Sequence, residues 1–292
     1  MRTLIKHPIL LLITAIIMVF YCIFEYNLLL PVLFSFSAIG VGNFFESAMS
    51  FIQLIFSFMT SPGLLSMTLV YLVAVLLVVS LFFGVLFAGF FNMINNTLEK
   101  KPRFKGEFFL GLKKYSIRMF LINMRVLLFS ILYIPFIMIV CVPAIAATRA
   151  AMQGKAELLA GSILVDVVTV CVLFFGILFY RMYILFWYPS ALVQGKKAFS
   201  RGKQLADRYF WRITKRIVAF DLIFLFLGGM LLIAKLVLMH EQNMNSVLMF
   251  VVLVVDWVFK TLFFGTFILY VFAFFKKHYD LDREQAKLAE EN

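Results

Sequence analysis

Cysteine and histidine are scarce in this chain, three of each among 292 residues. Cys22, Cys141 and Cys171 all fall in apolar stretches. There is no CxxC and no Cys/His cluster, so neither a disulfide framework nor a zinc site is indicated. His7, His240 and His278 are scattered, with no HExxH pattern. No Ser/His/Asp grouping, P-loop or glycine fingerprint is visible. No catalytic, cofactor-binding or metal-binding residue is assigned, no cofactor is implied, and the chain reads as a protein that is not an enzyme. Charge is also scarce, at 14% of residues, and acids are outnumbered by bases, 15 to 27.

What fills the chain is apolar. Hydrophobic residues make up 64% and mean hydropathy is +1.01. No soluble domain of this size has that composition. Apolar runs of about 20 residues or more mark membrane-crossing helices. They fall at about 8–30, 64–91, 120–145, 162–187, 217–238 and 247–275. The expected fold is an all-α integral membrane protein with six transmembrane helices. Residues 1–275 form one helical domain, and 276–292 a short charged cytoplasmic tail, without room for a separate soluble catalytic domain. The charged start, Met1 to Lys6, resembles a signal peptide. Its apolar stretch is too long and Ser35-Phe-Ser37 too poor a cleavage site, so a retained first span is expected.

The positive charges fall on one side of this pattern. With the N-terminus inside, 21 of the 27 lysines and arginines lie on inside segments, chiefly 100–118, 196–216 and 276–287. Only Arg149, Lys155 and Lys235 lie on the other side or at its span ends. The positive-inside rule then places both termini in the cytoplasm. The net charge of +12 does not call for nucleic acid. It is accounted for by loops facing an anionic leaflet, where each nearby cation contributes on the order of 1 kcal/mol. The expected location is a multi-pass position in a bacterial inner (plasma) membrane.

Between the first two spans, residues 43–60 alternate polar and apolar positions with helical period, only Leu54 interrupting the polar stripe. A seventh crossing there would turn the basic loops outward. An outer amphipathic helix or a re-entrant element is expected instead. In the second span, Ser80, Gly84 and Ala88 form a small-residue stripe suited to close helix packing.

Each large inside loop ends in a basic, aromatic-rich amphipathic stretch, 104–118 and 198–212. Both look like helices lying on the inner leaflet, apolar side chains dipping in while lysines and arginines reach headgroups. Candidate contacts to anionic lipid are Lys113, Lys114, Arg118, Lys196, Lys197, Arg201, Lys203 and Arg208. At an offset of 91 residues Gly111 matches Gly202, Phe120 matches Trp211 and Arg125 matches Arg216, hinting at a duplicated two-helix unit.

The two loops also carry a resemblance. Gly89-Phe-Phe-Asn-Met-Ile-Asn-Asn-Thr-Leu-Glu-Lys-Lys-Pro102, with Phe109-Leu-Gly-Leu-Lys-Lys-Tyr115, is one signature. Tyr188-Pro-Ser-Ala-Leu-Val-Gln-Gly-Lys-Lys-Ala-Phe-Ser-Arg-Gly-Lys-Gln-Leu205, with Tyr209-Phe-Trp-Arg212, is the second. Over roughly residues 64–240 the chain resembles the membrane domain fused to some glycerophosphodiester phosphodiesterases, and its stand-alone relatives. That resemblance implies an all-helical membrane module without established catalytic residues. The phosphodiesterase domain itself is absent, so its activity is not implied.

Ionisable residues inside spans are costly and are candidates for function. Glu25 and Asp166 fall near outer ends, and Arg125, Arg181 and Asp221 near inner ends, where water or headgroups are close. Asp256 and Lys260 lie near the middle of the sixth span, one helical turn apart with the acid first, the favourable order. They form either an internal structural pair or a polar site. Two functions follow. One is a non-catalytic membrane protein that binds lipid, chiefly anionic inner-leaflet headgroups, or another membrane protein, in envelope organisation or assembly. The other is a small-molecule or lipid transporter or flippase with its polar site at Asp256 and Lys260.

Overall fold

The structure is a computed structural model that describes residues 7–29, 61–102, 104–152, 159–194, 198–240 and 246–290. All regular structure among these residues is helical. Helix α1 spans Pro8–Phe24 and continues as a single π-helical turn, Glu25–Leu29. It is followed by α2 (Pro62–Leu98), α3 (Glu107–Met152), α4 (Leu159–Leu185), α5 (Trp187–Gln194), α6 (Ala198–His240) and α7 (Ser246–Glu290). Six helical stretches are long and apolar enough to cross a membrane: Pro8–Asn27, Leu69–Leu98, Glu107–Ala151, Leu159–Val193, Ala198–Leu238 and Val247–Asp280. The protein is an all-α, multi-pass membrane protein. The expected element at 43–60 lies outside the described residues.

Large apolar side chains cover the outward faces: Val70, Val78, Ile139, Leu164, Leu225 and Phe226 are among the exposed residues. In water such a surface would drive aggregation; in a bilayer it is the face that lipid tails solvate. Because the tails are as apolar as the side chains, helix association relies on close packing and polar contacts instead.

The helices outrun the hydrophobic core. At 1.5 Å per residue, α3 with its 46 residues is roughly 70 Å long, about twice a hydrocarbon core. The first basic stretch is therefore not a separate in-plane helix. From Glu107 it runs unbroken into the third span. The second stretch is set off from its span by a kink at Tyr209, whose φ of −115° and ψ of 18° are non-helical. The charged tail is likewise no separate element, because α7 carries on through Lys276 to Glu290.

Helix ends follow from local chemistry. Lys100, with a φ of 54°, is left-handed at the end of α2. Lys101 N–H donates to Asn96 O and Lys100 N–H to Thr97 O, the two bonds of a Schellman cap. Pro102 then prevents the helix from resuming. At the end of α4, Pro189 offers no N–H to the carbonyl of Leu185, where the helix stops. The same proline is tolerated in the first turn of α5, where N–H groups lack helical partners anyway.

The described residues cluster in two compact units. One takes in those of Met1–Ala38, Ala88–Tyr115 and Leu185–Asn292. In it α7 packs on α1 and α6, and α5 fits against α6 and α7. A phenylalanine ladder joins α6 to α7, with Phe220 and Phe224 against Phe259, Phe263 and Phe267. In the turn from α2 to α3, Asn92 and Asn96 donate to the backbone carbonyl and carboxylate of Glu107, at 3.0 and 2.8 Å. Gly111 lets α3 approach α2: a Cβ there would lie 2.8 Å from Ala88 O and 2.6 Å from Asn92 Cβ. At its counterpart Gly202 the approach is looser: a Cβ there would lie 3.1 Å from Trp187 Cδ1 and 3.2 Å from the Phe186 carbonyl.

The other unit takes in the described residues of Ile39–Phe87 and Ser116–Ile184. Gly84 of the small-residue stripe meets α3 directly, since a Cβ there would come within 2.8 Å of Phe120 Cα. Ser80, one turn earlier on the same stripe, is fully buried. Between α3 and α4, the Ser130 and Tyr180 hydroxyls are 2.6 Å apart and Tyr180 stacks on Tyr133. The Thr148 hydroxyl donates to the Asp166 carboxylate, shared between its two oxygens at 2.9 and 3.1 Å.

Candidate functional site

The first unit encloses a cluster of four charged side chains from three helices. Asp256 and Lys260 stand one turn apart on α7, and Lys260 Nζ lies 2.7 Å from Asp256 Oδ2. The expected pair is present, and it does not stand alone. Lys235 of α6 reaches Asp256 Oδ2 at 2.5 Å and Glu25 Oε1 at 3.0 Å. Lys260 also donates to Glu25 Oε2. Glu25 opens the π turn that ends α1, a local irregularity often found at functional sites. The four residues alternate in sign around a closed ring of ion pairs.

Burial makes the ring unusual. Asp256 is 1% exposed, Lys235 2%, Lys260 5% and Glu25 6%. Isolated charges at such positions would be prohibitively costly, whereas paired, hydrogen-bonded ones are tolerable. Two carboxylates and two ammonium groups leave the cluster with no net charge. Lys260 Nζ lies 5.3 Å from the centre of the Tyr21 ring, a cation–π contact on its α1 side. Trp257, next to Asp256, donates its indole N–H to Ala15 O at 3.0 Å and so ties α7 to α1.

Position along the chain suggested water or headgroups near Glu25 and an outer span end for Lys235. The reading for Glu25 is corrected, because the residue is buried and paired with both lysines; Lys235 does lie at the end of its span, but buried and engaged with both acids. A signal was available. Glu25 is in the last turns of the first span and Lys235 in the last turns of the fifth, while Asp256 and Lys260, expected near the middle of the sixth, lie within its first half. Four in-span charges that sum to zero, at one end of three helices, are natural partners.

The ligand atoms of Cys22, Glu25 and Asp256 lie within 4.8 Å of one another, a spacing compatible with a metal ion. The ammonium groups of Lys235 and Lys260 already sit on both carboxylates. A divalent cation would have to displace them, so the chemistry present fits an internal ion-pair network better. Asp256 Oδ1 is buried with no hydrogen-bond partner among the described residues.

The candidate lipid contacts lie away from this cluster, on two helices. Lys113, Lys114 and Arg118 are exposed on α3, and Arg201, Lys203 and Arg208 on α6. Lys196 and Lys197 lie outside the described residues. Exposed apolar side chains are interleaved with these cations: Phe109, Leu110 and Ile117 on α3 and Trp211 on α6. Lys114 lies over the Tyr115 ring at 5.2 Å and Arg208 over Tyr209 at 5.8 Å. The inward face of the second stretch is small and apolar, with Ala198, Leu205, Ala206 and Ile213 buried. At the same end of the helices, Glu99 takes Lys101 at 2.5 Å and Lys276 at 3.4 Å. Partial burial pushes the Glu99 carboxyl up, but the hydrogen bonds and charges of the two lysines outweigh it and hold it below its usual range.

Comparison of the chain with protein-family models, with curated proteins and with solved structures gave no match.

Proposed function

We propose that the protein is a non-catalytic, multi-pass protein of a bacterial inner membrane. It binds anionic lipid at the cytoplasmic leaflet and thereby takes part in envelope organisation or assembly. The observation that carries this reading is the make-up of the N-terminal parts of α3 and α6, on each of which exposed lysines and arginines are interleaved with exposed apolar side chains, Phe109 and Ile117 on α3 and Trp211 on α6. Aromatic and aliphatic side chains there enter the acyl boundary while the cations meet headgroup phosphates. The likeness of residues 64–240 to the phosphodiesterase-fused membrane domains points the same way, to a helical module without catalytic residues.

The test replaces Lys113, Lys114, Arg118, Arg201, Lys203 and Arg208 with glutamine. Binding to vesicles with and without anionic phospholipid is then measured at low and moderate salt. The expected result is a clear loss of the anionic preference and of its salt sensitivity, since surface charge is screened within about 8–10 Å at physiological salt. Unchanged binding at both salt levels refutes the reading.

A second reading is transport, with the charge cluster on the pathway. The open acceptor Asp256 Oδ1, buried beside three other ionisable groups, favours it. Proteoliposomes loaded with a pH-sensitive dye test it for protons: Asp256→Asn should abolish a flux seen in the wild type while the protein still folds. Absence of any flux in the wild type removes the proton version.

A further inference from the structure

Resting on the lipid-binding reading, we propose that facing ends of α6 and α7 form a discrete binding site for the phosphate of an anionic lipid headgroup. The site is a hollow of about 370 Å³ whose lining includes Arg212, Arg216, Tyr270, Phe274, Lys277 and His278. That volume lies within the roughly 300–1,000 Å³ range of small-ligand pockets. Of these residues only Arg212 falls in the basic stretches read from the sequence, at the end of 198–212, and none is among the named candidate contacts.

The geometry follows from two helical spacings. Arg212 and Arg216 are one turn apart on α6. Tyr270, Phe274 and Lys277 recur at four and three residues on α7, so they share one face. The facing stripes thus bring two guanidinium groups and one ammonium group to one hollow. Guanidinium is planar, permanently charged and able to fork onto two phosphate oxygens, while lysine adds a mobile point charge. Among the described residues, no carboxylate pairs with Arg212, Arg216 or Lys277. The nearby acid Glu99 is committed to Lys101 and Lys276.

The remaining walls suit a headgroup on its glycerol stem. Arg216 lies over the Tyr270 ring at 5.6 Å and Arg212 over Tyr209 at 5.9 Å, which orders both guanidinium groups. The Tyr270 ring supplies a further wall, under the Arg216 guanidinium. Phe274 supplies an apolar wall. His278, buried and stacked on Phe274 and Tyr209, is anchored by its Nδ1 against Phe274 O at 2.9 Å. Depth also fits. Arg212 and Arg216 come just before the apolar run at 217–238, and Lys277 just after the one at 247–275, so the hollow is at the boundary where tails give way to headgroups. Basic pockets between transmembrane helices at that level are suited to anionic headgroups.

The experiment uses the full chain in mixed phosphatidylglycerol and phosphatidylcholine micelles, with bound lipid counted by native mass spectrometry. The wild type should enrich phosphatidylglycerol over its bulk fraction. R216Q/K277Q should lose at least about tenfold of that enrichment, the equivalent of one lost charge-assisted hydrogen bond. Arg212→Gln, which removes one charge from the same hollow, should lose a smaller but measurable part, and it carries the test if the double variant does not fold. K113Q/K114Q, which removes as much charge from α3, should keep most of the enrichment. If the wild type enriches phosphatidylglycerol and both pocket variants match it, the site is wrong and the lipid reading survives. If the wild type shows no enrichment, the lipid reading fails and the site with it. If excess inorganic phosphate strips the enrichment from the wild type, the occupant is free phosphate and the headgroup assignment is overturned.

Discussion

Removing one member of the buried ring should cost far more than removing an opposite-charge pair. Lys235 touches Asp256 at 2.5 Å and Glu25 at 3.0 Å. At an effective dielectric constant of about 20 these two contacts amount to roughly 12 kcal/mol of gross attraction. Relief of repulsion from Lys260 and of the desolvation of Lys235 itself offsets much of this. The net cost of Lys235→Ala should therefore be about 3–5 kcal/mol, the range for breaking a buried pair and leaving an unpartnered charge. Asp256→Ala and Lys260→Ala should fall in the same range. The double variant D256A/K260A should be clearly milder than either single, because Glu25 and Lys235 remain as a neutral pair at 3.0 Å. The double E25A/D256A should be the worst of all, with two lysines facing each other and no acid. Thermal unfolding in detergent, followed by size-exclusion fluorescence, reads these differences. On the scale of soluble domains a single should lower Tm by on the order of 10 °C. Singles that all match the wild type would mean that the four residues face water or headgroups. A D256A/K260A protein as unstable as its parents would refute the claim that charge balance sets the cost.

Other outcomes follow from the packing and the charge pattern. Gly84→Ala should destabilise by about 1–3 kcal/mol, since its Cβ would strike the Phe120 backbone at 2.8 Å. Gly229→Ala, with nothing within 4 Å, should be neutral or stabilising by up to about 1 kcal/mol; equal thermal shifts for the two would refute the close approach. Glu99 is held below its ordinary 4.5 and Lys101 above its ordinary 10.5. Their contribution, at most about 1 kcal/mol for so exposed a pair, is then full between those values, falling away in acid as Glu99 protonates and in base as Lys101 deprotonates. The Tm difference between wild type and Glu99→Gln should accordingly be flat near neutrality and shrink below pH 4.5; a difference that grows in acid has the wrong sign. Reporter fusions after residues 100, 205 and 285 should read cytoplasmic and those near 50, 152 and 242 external; an external signal at 205 would overturn the orientation.

The helical membrane architecture was legible because it depends on long apolar runs, which composition records directly. The same is true of the Asp256–Lys260 pair, since an i, i+4 spacing is a local property of one helix. The Ser80–Gly84–Ala88 stripe was also readable, and Gly84 meets α3 as such stripes imply. What was not legible was tertiary. Nothing local in Glu25 or Lys235 says that 210 residues of chain bring them together, and only charge sign and depth hint at it. Helix continuity was missed for a related reason. Hydropathy marks where a segment turns polar, but hydrogen bonding lets α3 begin at Glu107 and α7 continue to Glu290, well outside the apolar runs. The break at Tyr209 has no proline or glycine to announce it. The basic hollow is hidden in the sequence because Arg212 and Arg216 precede one apolar run and Lys277 follows another, while helix pairing sets them face to face.

The most direct test of lipid binding as the protein's role is the lipid that stays with it. The chain is extracted in mild detergent without added lipid, purified, and its retained lipids are quantified by mass spectrometry beside those of the membrane it came from. The account predicts a retained pool strongly enriched in anionic phospholipid, with the enrichment lost when the exposed cations of α3 and α6 are neutralised. A retained pool with the same headgroup proportions as the parent membrane would contradict it.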